Sequence, residues 1–291
     1  MTEPAKRSTS TTISTLSQFL EEIQRLPYGQ YLYRGQGQDY ELKPKIARLT
    51  PPHGETPETM EFKMLLDLKR RAGAWMKDSI LRPDNDWDWL ALAQHHGMAT
   101  RLLDWSDNPL TALFFAVEKV FEPKGMVGNQ CPVVWVFRVD ENDLINIDEK
   151  DQTPFAITRT RVFRPNHVTP RIVSQNGWFM AHRYLNRKGI KPGFVALEKN
   201  IKYKPSLSKF KIKPEQVGEL RRTLRTCGIH AGSIYPGLEG LCADIAERHS
   251  QMKDEILRET KTAPDDSSLS EKSLKELIGE LAKVAKSKQK V

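Results

Sequence analysis

Apolar positions fall into a helical period early in the chain. In STLSQFLEEIQRL, Leu16, Phe19, Leu20, Ile23 and Leu26 recur three and four residues apart and predict a helix. PYGQ breaks that period, and YLYRG follows as a short strand built from β-favouring aromatic residues. Helices are expected through ETMEFKMLLDLKRRAGAWM and over DWDWLALAQHH, the second stopped by Gly97 as a C-terminal cap. MATRLLDW is short and apolar and reads as a strand. SDNPLTALFFAVEKVF reads as a helix with Asn108 as N-cap and Pro109 at its first position. PVVWVFRV, apolar and β-branched, predicts a buried strand. RIVSQNGWFMAH and GFVALEK are further strand candidates. KFKIK alternates until Pro214 opens the helix PEQVGELRRTLRTC, which Gly228 ends, and YPGLEGLCADIAERHSQMKDEIL is expected as the last core helix. Helices and strands intersperse without a regular βαβα rhythm. The expected class is therefore α+β: a single mixed domain with a central, mainly antiparallel sheet flanked by helices.

The flanks read differently. Residues 1–12 are rich in Ser and Thr, lack an apolar period and are expected to be disordered, so the folded domain is placed at 13–260. KTAPDDSSLS, 261–270, reads as a polar linker. Residues 271–291 carry an amphipathic helix, with Leu274, Leu277, Ile278 and Leu281 on one stripe, and a basic end. That helix is the expected surface for a partner or for self-association.

Composition narrows the class. With 291 residues, 38% of them hydrophobic, the chain can bury a sizeable core. No run approaches the roughly 20 apolar residues of a membrane helix, and MTEPAKRSTSTT lacks the apolar segment of a signal peptide. Cys131, Cys227 and Cys242 are too far apart for a metal knuckle, and their odd number argues against a disulfide framework. A reduced, cytoplasmic protein with no membrane contact is expected. The formal charge of +8 favours polyanions, nucleic acid among them, although solubility alone is the plainer reading.

YLYRGQGQDY carries the first candidate chemistry. It is not a phosphate loop: it has a Gly-x-Gly but no third glycine, no Lys-Ser or Lys-Thr pair and no helix start. On a strand, Tyr31, Tyr33 and Gly35 share one face and Leu32 and Arg34 the other. Arg34 then points to the core face, where its donors need a partner. That partner is either a carboxylate of the protein or the phosphate or carboxylate of a ligand.

The second concentration of polar groups is LALAQHHGMATRLLDWSDNPLTALFFAVE, with Gln94, His95, His96, Thr100, Arg101, Asp104, Trp105 and Asn108. His95 and His96 project about 100° apart on a helix and are poorly placed to share a metal ion. No metal site is expected. If MATRLLDW is a strand, Thr100 and Asp104 share a face, and Asp104 can pair with Arg34 or Arg101. His182 and His230 stand alone and read as structural. Glu239 falls in the first turn of a helix, where the dipole favours it. No Ser-His-Asp or Cys-His set has the setting of a nucleophile.

Together YRGQ, LAQHHGMATRLLDWSDNPLTALFFA, RIVSQNGWFMAH and GIHAGSIYPGLEGL resemble the FRG domain family, named for its aromatic-Arg-Gly motif, over roughly residues 15–250. Its members are mainly bacterial and phage-associated proteins. More remotely the chain is similar to ADP-ribosyltransferases, whose NAD site also opens on an aromatic-Arg-Gly strand. That likeness implies NAD as the dinucleotide ligand, with Tyr33, Arg34, Gly35, Gln94, His96, Thr100 and Arg101 around it and Thr100 and Ser106 as the hydroxyl positions. Arg34 would anchor the ligand, His95 or His96 would contact the ribose or the acceptor, and Asp104 would orient Arg34 or act as the carboxylate. Gln175 stands where those enzymes place a glutamate, a departure that leaves Asp104 or Glu239 to supply the charge. The implied activity is ADP-ribosyl transfer or NAD cleavage, onto nucleic acid or protein, in phage defence or a toxin setting. Two alternatives stand beside it: a non-enzymatic module for nucleic acid or protein, and a metal-dependent nuclease using His95, His96 and Asp104.

Overall fold

A computed structural model describes residues 10–76, 83–119, 131–145, 153–166, 170–189 and 191–250. The helical periods of the sequence become α1 (Leu16–Gln24), α2 (Pro57–Ala72), α3 (Asp86–His95), α4 (Pro109–Val117), α6 (Val217–Thr226) and α8 (Leu238–His249). Short side chains start four of them, Thr56 accepting from the Thr59 amide at the head of α2. Thr15 accepts from the Gln18 amide, Asn85 from Asp88, and Asn108 from Leu110 and Thr111. Gly97 and Gly228 follow α3 and α6 with φ of +86° and +81°.

Among the described residues nine strands form: β1 (Ser10–Ile13), β2 (Tyr31–Gln36), β3 (Leu102–Ser106), β4 (Val133–Arg138), β5 (Arg161–Phe163), β6 (Gly177–Ala181), β7 (Tyr184–Leu185), β8 (Gly193–Phe194) and β9 (Leu207–Ile212). Seven of them make one sheet in the order β1-β9-β4-β2-β3-β6-β5, and β7 and β8 pair separately. Only the β1–β9 pairing in that sheet is parallel. The α+β class with a mainly antiparallel sheet is what the molecule has.

The residues of one face of the sheet divide into two apolar clusters. Tyr33, Val134, Val136 and Phe210 pack with Phe19, Leu113, Val117 and Leu220 from α1, α4 and α6. Leu102, Phe163, Phe179 and Ala181 pack with Leu65, Trp87 and Leu90 from α2 and α3. On the other face, Leu32, Leu103, Trp105, Trp135, Phe137 and Met180 meet residues of irregular segments, Leu42, Leu197 and Tyr203. The helical layer thus parts above the junction of β2 and β3.

That junction is nearly unzipped. β2 pairs with β4 along its whole length, from Tyr31 opposite Arg138 to Gln36 opposite Val133. With β3 it shares one register pair, Tyr33 with Ser106. β3 meanwhile is fully paired with β6, from Leu102 opposite Ala181 to Ser106 opposite Gly177. Beyond Tyr33 the two strands separate.

Two expectations are corrected. Residues 10–12 belong to β1, because the edge of β9 offers its backbone groups to them, and the polar tail ends earlier than residue 12. RIVSQNGWFMAH is not one strand. It folds as the short helix α5 (Pro170–Ser174), turns at Asn176 with φ 46°, and becomes strand only from Gly177. The stretch before the last helix also contains a separate turn of helix, α7 (Ala231–Ile234). The linker at 261–270 and the amphipathic helix at 271–291 lie outside the described residues. Among the described residues no helix is long and apolar enough to cross a membrane.

Gly35 fixes how α4 lies on the sheet. A Cβ at this position would stand 1.8 Å from the Ala112 carbonyl oxygen and 2.6 Å from the Ala116 amide nitrogen. Both are backbone atoms that no rotamer change can move aside. Gly35→Ala is expected to destabilise the fold by about 3 kcal/mol or more, at the upper end of overpacking effects, as measured by urea denaturation.

Candidate ligand-binding cleft

A cleft of about 620 Å³ opens where the helical layer parts, a volume ordinary for a small-molecule site. β2 and the segment after it supply one wall with Tyr33, Arg34, Gly35, Gln36, Lys43 and Arg48. The end of α3 supplies Gln94 and His95, and β3 supplies Asp104 and Ser106. The flank of α4 adds Ala112, Phe115, Glu118 and Lys119. Arg171, Gln175, Trp178 and Tyr235 complete the lining.

Arg34 emerges on the Leu32 face of β2, and its guanidinium occupies the gap between the parted strands. Its Nη1 donates to the main-chain oxygen of Asp104 at 2.6 Å and lies 3.7 Å from that residue's Oδ2. It therefore caps a carbonyl that a paired neighbouring strand would have used. The buried Nε has no hydrogen-bond partner. The pair is neither bidentate nor sealed: the Arg34 side chain is 21% exposed and that of Asp104 58%. Burial lowers the affinity of Arg34 for its proton, Asp104 opposes this, and Arg48 adds a like charge. A guanidinium stays charged regardless, so the positive charge is held in place with donor capacity in reserve.

Around this pair the polar groups line up in a short chain. Thr100 Oγ1 donates to Gln94 Oε1 at 2.8 Å, and Gln94 Nε2 stands 3.4 and 3.3 Å from the Asp104 carboxylate oxygens. His95, beside them, is held below its ordinary pKa by burial first and by His96 and Arg171 next, with Asp104 opposing. Its neutral form is thereby favoured.

The rest of the lining has its own order. Ser106 Oγ donates to the Gln175 main-chain oxygen at 2.7 Å, and Gln175 Nε2 donates to the Ile234 oxygen at 3.3 Å. These bonds fasten the α5–β6 turn to the site. Tyr235 donates through its hydroxyl to Glu118 Oε2 at 2.9 Å, and the Arg171 guanidinium lies 4.7 Å from the centre of the Tyr235 ring. Burial raises the pKa of the Glu118 carboxyl, an effect the Tyr235 hydrogen bond partly offsets. Five permanent cations line the cleft, Arg34, Lys43, Arg48, Lys119 and Arg171, against the carboxylates Glu41, Asp104 and Glu118. Glu41 is already paired with Lys199. The balance favours an anion.

Tyr33, Arg34, Gly35, Gln94, His95, Asp104 and Gln175, all expected at the site, do line this cleft. Four other expected residues do not. Thr100 is fully buried, its hydroxyl spent on Gln94. Arg101 is fully buried and structural: its Nε meets Glu61 at 2.8 Å, its Nη1 donates to the Pro154 oxygen at 2.8 Å and its Nη2 reaches Glu58 at 3.1 Å, while its backbone amide also bonds Glu61. His96 ends α3 exposed to solvent, and Glu239 is exposed in the first turn of α8. Among the described residues no group of three or more His, Cys, Asp or Glu could hold a metal ion, so His95, His96 and Asp104 do not form such a set.

Arg48, Glu118, Arg171 and Tyr235 were not legible as site residues. The spacing of Ala112, Phe115 and Glu118 along one side of α4 is the one sequence signal that pointed their way.

The family model of the FRG domain matches residues 29–124. That stretch holds β2, α3, β3 and α4, and with them Arg34, Gln94, His95, Asp104 and Glu118. The later segments that also resembled the family, around Gln175 and Tyr235, lie beyond the match. No curated protein and no solved structure is detectably similar to the chain.

The two arginines separate by experiment. Arg101→Ala strands the buried Glu61 carboxylate and is expected to cost about 3–5 kcal/mol of stability. Arg34→Ala leaves Asp104 in contact with solvent and is expected to cost less than half as much in the same denaturation assay. His182 offers a second test. It is 1% exposed, its Nε2 lacks a partner, and burial first, with Arg34 and Arg101 adding repulsion, depresses its pKa to about 3. The neutral ring is the one the fold accepts, so its contribution is complete above the ordinary histidine pKa and is lost as pH falls towards 3. Stability is expected to decline by up to about 1.4 kcal/mol per pH unit between pH 6.5 and 5. His182→Gln should flatten that slope.

Proposed function

We propose that this chain, an FRG domain over residues 29–124, binds a phosphate-bearing nucleotide in the cleft at Arg34, and that the nucleotide is NAD. The observation that carries the reading is the state of Arg34: a charged guanidinium tethered in a strand gap by one main-chain bond, with a partnerless Nε, on the wall of a basic cleft. A guanidinium so placed suits a phosphate, which accepts several N–H bonds at once. Arg34 would hold the phosphates with Lys43 and Arg48 close along the same wall. Asp104 orients Arg34, and Gln94 orients Asp104. His95, neutral and within the cleft, is the histidine placed to meet the ribose or an acceptor; His96 is not.

Bound there, NAD would supply an ADP-ribosyl group for transfer or hydrolysis. Gln175 brings no charge, and Glu239 is outside the cleft. Of the carboxylates that line it, Glu41 is paired with Lys199, which leaves Asp104 and Glu118. An effector that modifies nucleic acid or protein, or that consumes NAD in phage defence or as a toxin, fits this arrangement. In a non-enzymatic module the same polar groups would form a closed network, with Arg34 sealed in a bidentate pair with Asp104. The 3.7 Å separation and the exposure of Asp104 count against it.

Calorimetric titration of the purified protein with NAD and with ADP-ribose is expected to show binding, weakened at least tenfold by Arg34→Ala, the loss of about one charge-assisted hydrogen bond. Release of nicotinamide, followed by chromatography, is expected to fall with the same variant. Absence of both binding and nicotinamide release in the wild-type protein would sink the reading.

A further inference from the structure

The lining of the cleft is not uniform in charge. Arg34, Lys43 and Arg48 come from β2 and the segment after it. The flank of α4 presents instead a carboxylate set among rings: Glu118, flanked by Phe115 and Tyr235. That carboxylate is built rather than incidental. Tyr235 fixes Oε2 by donating to it at 2.9 Å, and Tyr235 is itself braced by Arg171 over its ring at 4.7 Å and by edge contacts with Phe114 and Phe115. The charged neighbours of Glu118 are Lys119, Arg171 and Glu247, and Arg171 is engaged with the ring of Tyr235.

A partly buried carboxylate repels phosphate and accepts hydroxyl donors. One oxygen is committed to Tyr235, the other has no hydrogen-bond partner among the described residues, and the adjoining aromatic rings offer an apolar wall to a sugar or a base. We propose that the Glu118–Tyr235 end of the cleft is a ribose subsite, in which Glu118 accepts the hydroxyls of the ribose adjoining the phosphates held at Arg34. The inference rests on the nucleotide reading above and deepens it. It makes Glu118 a specificity-determining residue and Tyr235 a positioning residue that holds the carboxylate.

The test pairs two ligands with three proteins and needs no turnover. ADP and 2′,3′-dideoxy-ADP carry the same phosphates and base and differ only in ribose hydroxyls. The wild-type protein is expected to bind ADP about tenfold more tightly than the dideoxy compound, the worth of one hydrogen bond to a charged acceptor. Glu118→Gln keeps the size of the side chain and an oxygen for Tyr235. It is expected to lose most of that discrimination while binding the dideoxy compound at least as tightly as the wild type does. Tyr235→Phe is expected to reduce the discrimination in part. Equal weakening of both ligands in Glu118→Gln, or full discrimination retained in it, overturns the ribose subsite while leaving the phosphate site intact. Failure of the wild-type protein to bind either compound overturns the nucleotide reading itself and the subsite with it.

Discussion

The parting of β2 from β3 is the constraint on which the rest of the site depends. A sheet interior normally leaves no main-chain group without a ladder partner. Here one rung, Tyr33 with Ser106, holds two strands that are each fully paired on their other sides. Opening the ladder exposes polar backbone, and Arg34 covers part of that deficit by donating to the Asp104 oxygen. The same geometry makes room for a cleft and charges its wall.

Two arginines close in sequence character have opposite fates for a physical reason. Arg101 has two carboxylates, a carbonyl and an aromatic ring around it, which together balance the loss of water from a charge in the core. Arg34 has one carbonyl and a distant carboxylate, and retains contact with solvent. The buried network ties α2 to the start of β3 and so sets where α3 ends and where Gln94 and His95 enter the cleft. The difference between a structural and an available cation is therefore a difference in how many acceptors the fold brings to each.

Much of the fold was legible because it is local. Helical period, the cap Asn108, the stop glycines and the β-branched run at 133–138 each carry their own signal over a few residues. The candidate site was legible where residues close in sequence share it, from Gln94 to Asp104, and where one strand carries a motif, as at Arg34. It was not legible where pairing depends on separation along the chain. Glu61 lies 40 residues before the Arg101 it holds, and Tyr235 lies 117 residues from Glu118. No periodicity encodes such partners, so Thr100 and Arg101, similar in pattern to cleft residues, proved to be core. The segment at 170–181 misled for another reason: its β-branched and aromatic residues favour a strand, and the left-handed turn at Asn176 divides it.

The aromatic-Arg-Gly triplet reads as one signature, yet its last two members answer to different demands. Gly35 is required by the crossing of α4, whose backbone fills the space a side chain would take. Arg34 faces the opposite side and answers to the strand gap and the cleft. A chain with this architecture can therefore lose the arginine and keep the glycine, giving up the charged wall of the cleft while α4 still crosses the sheet as before. The reverse loss would remove both. The glycine answers for the fold, and the arginine for the charge of the cleft wall.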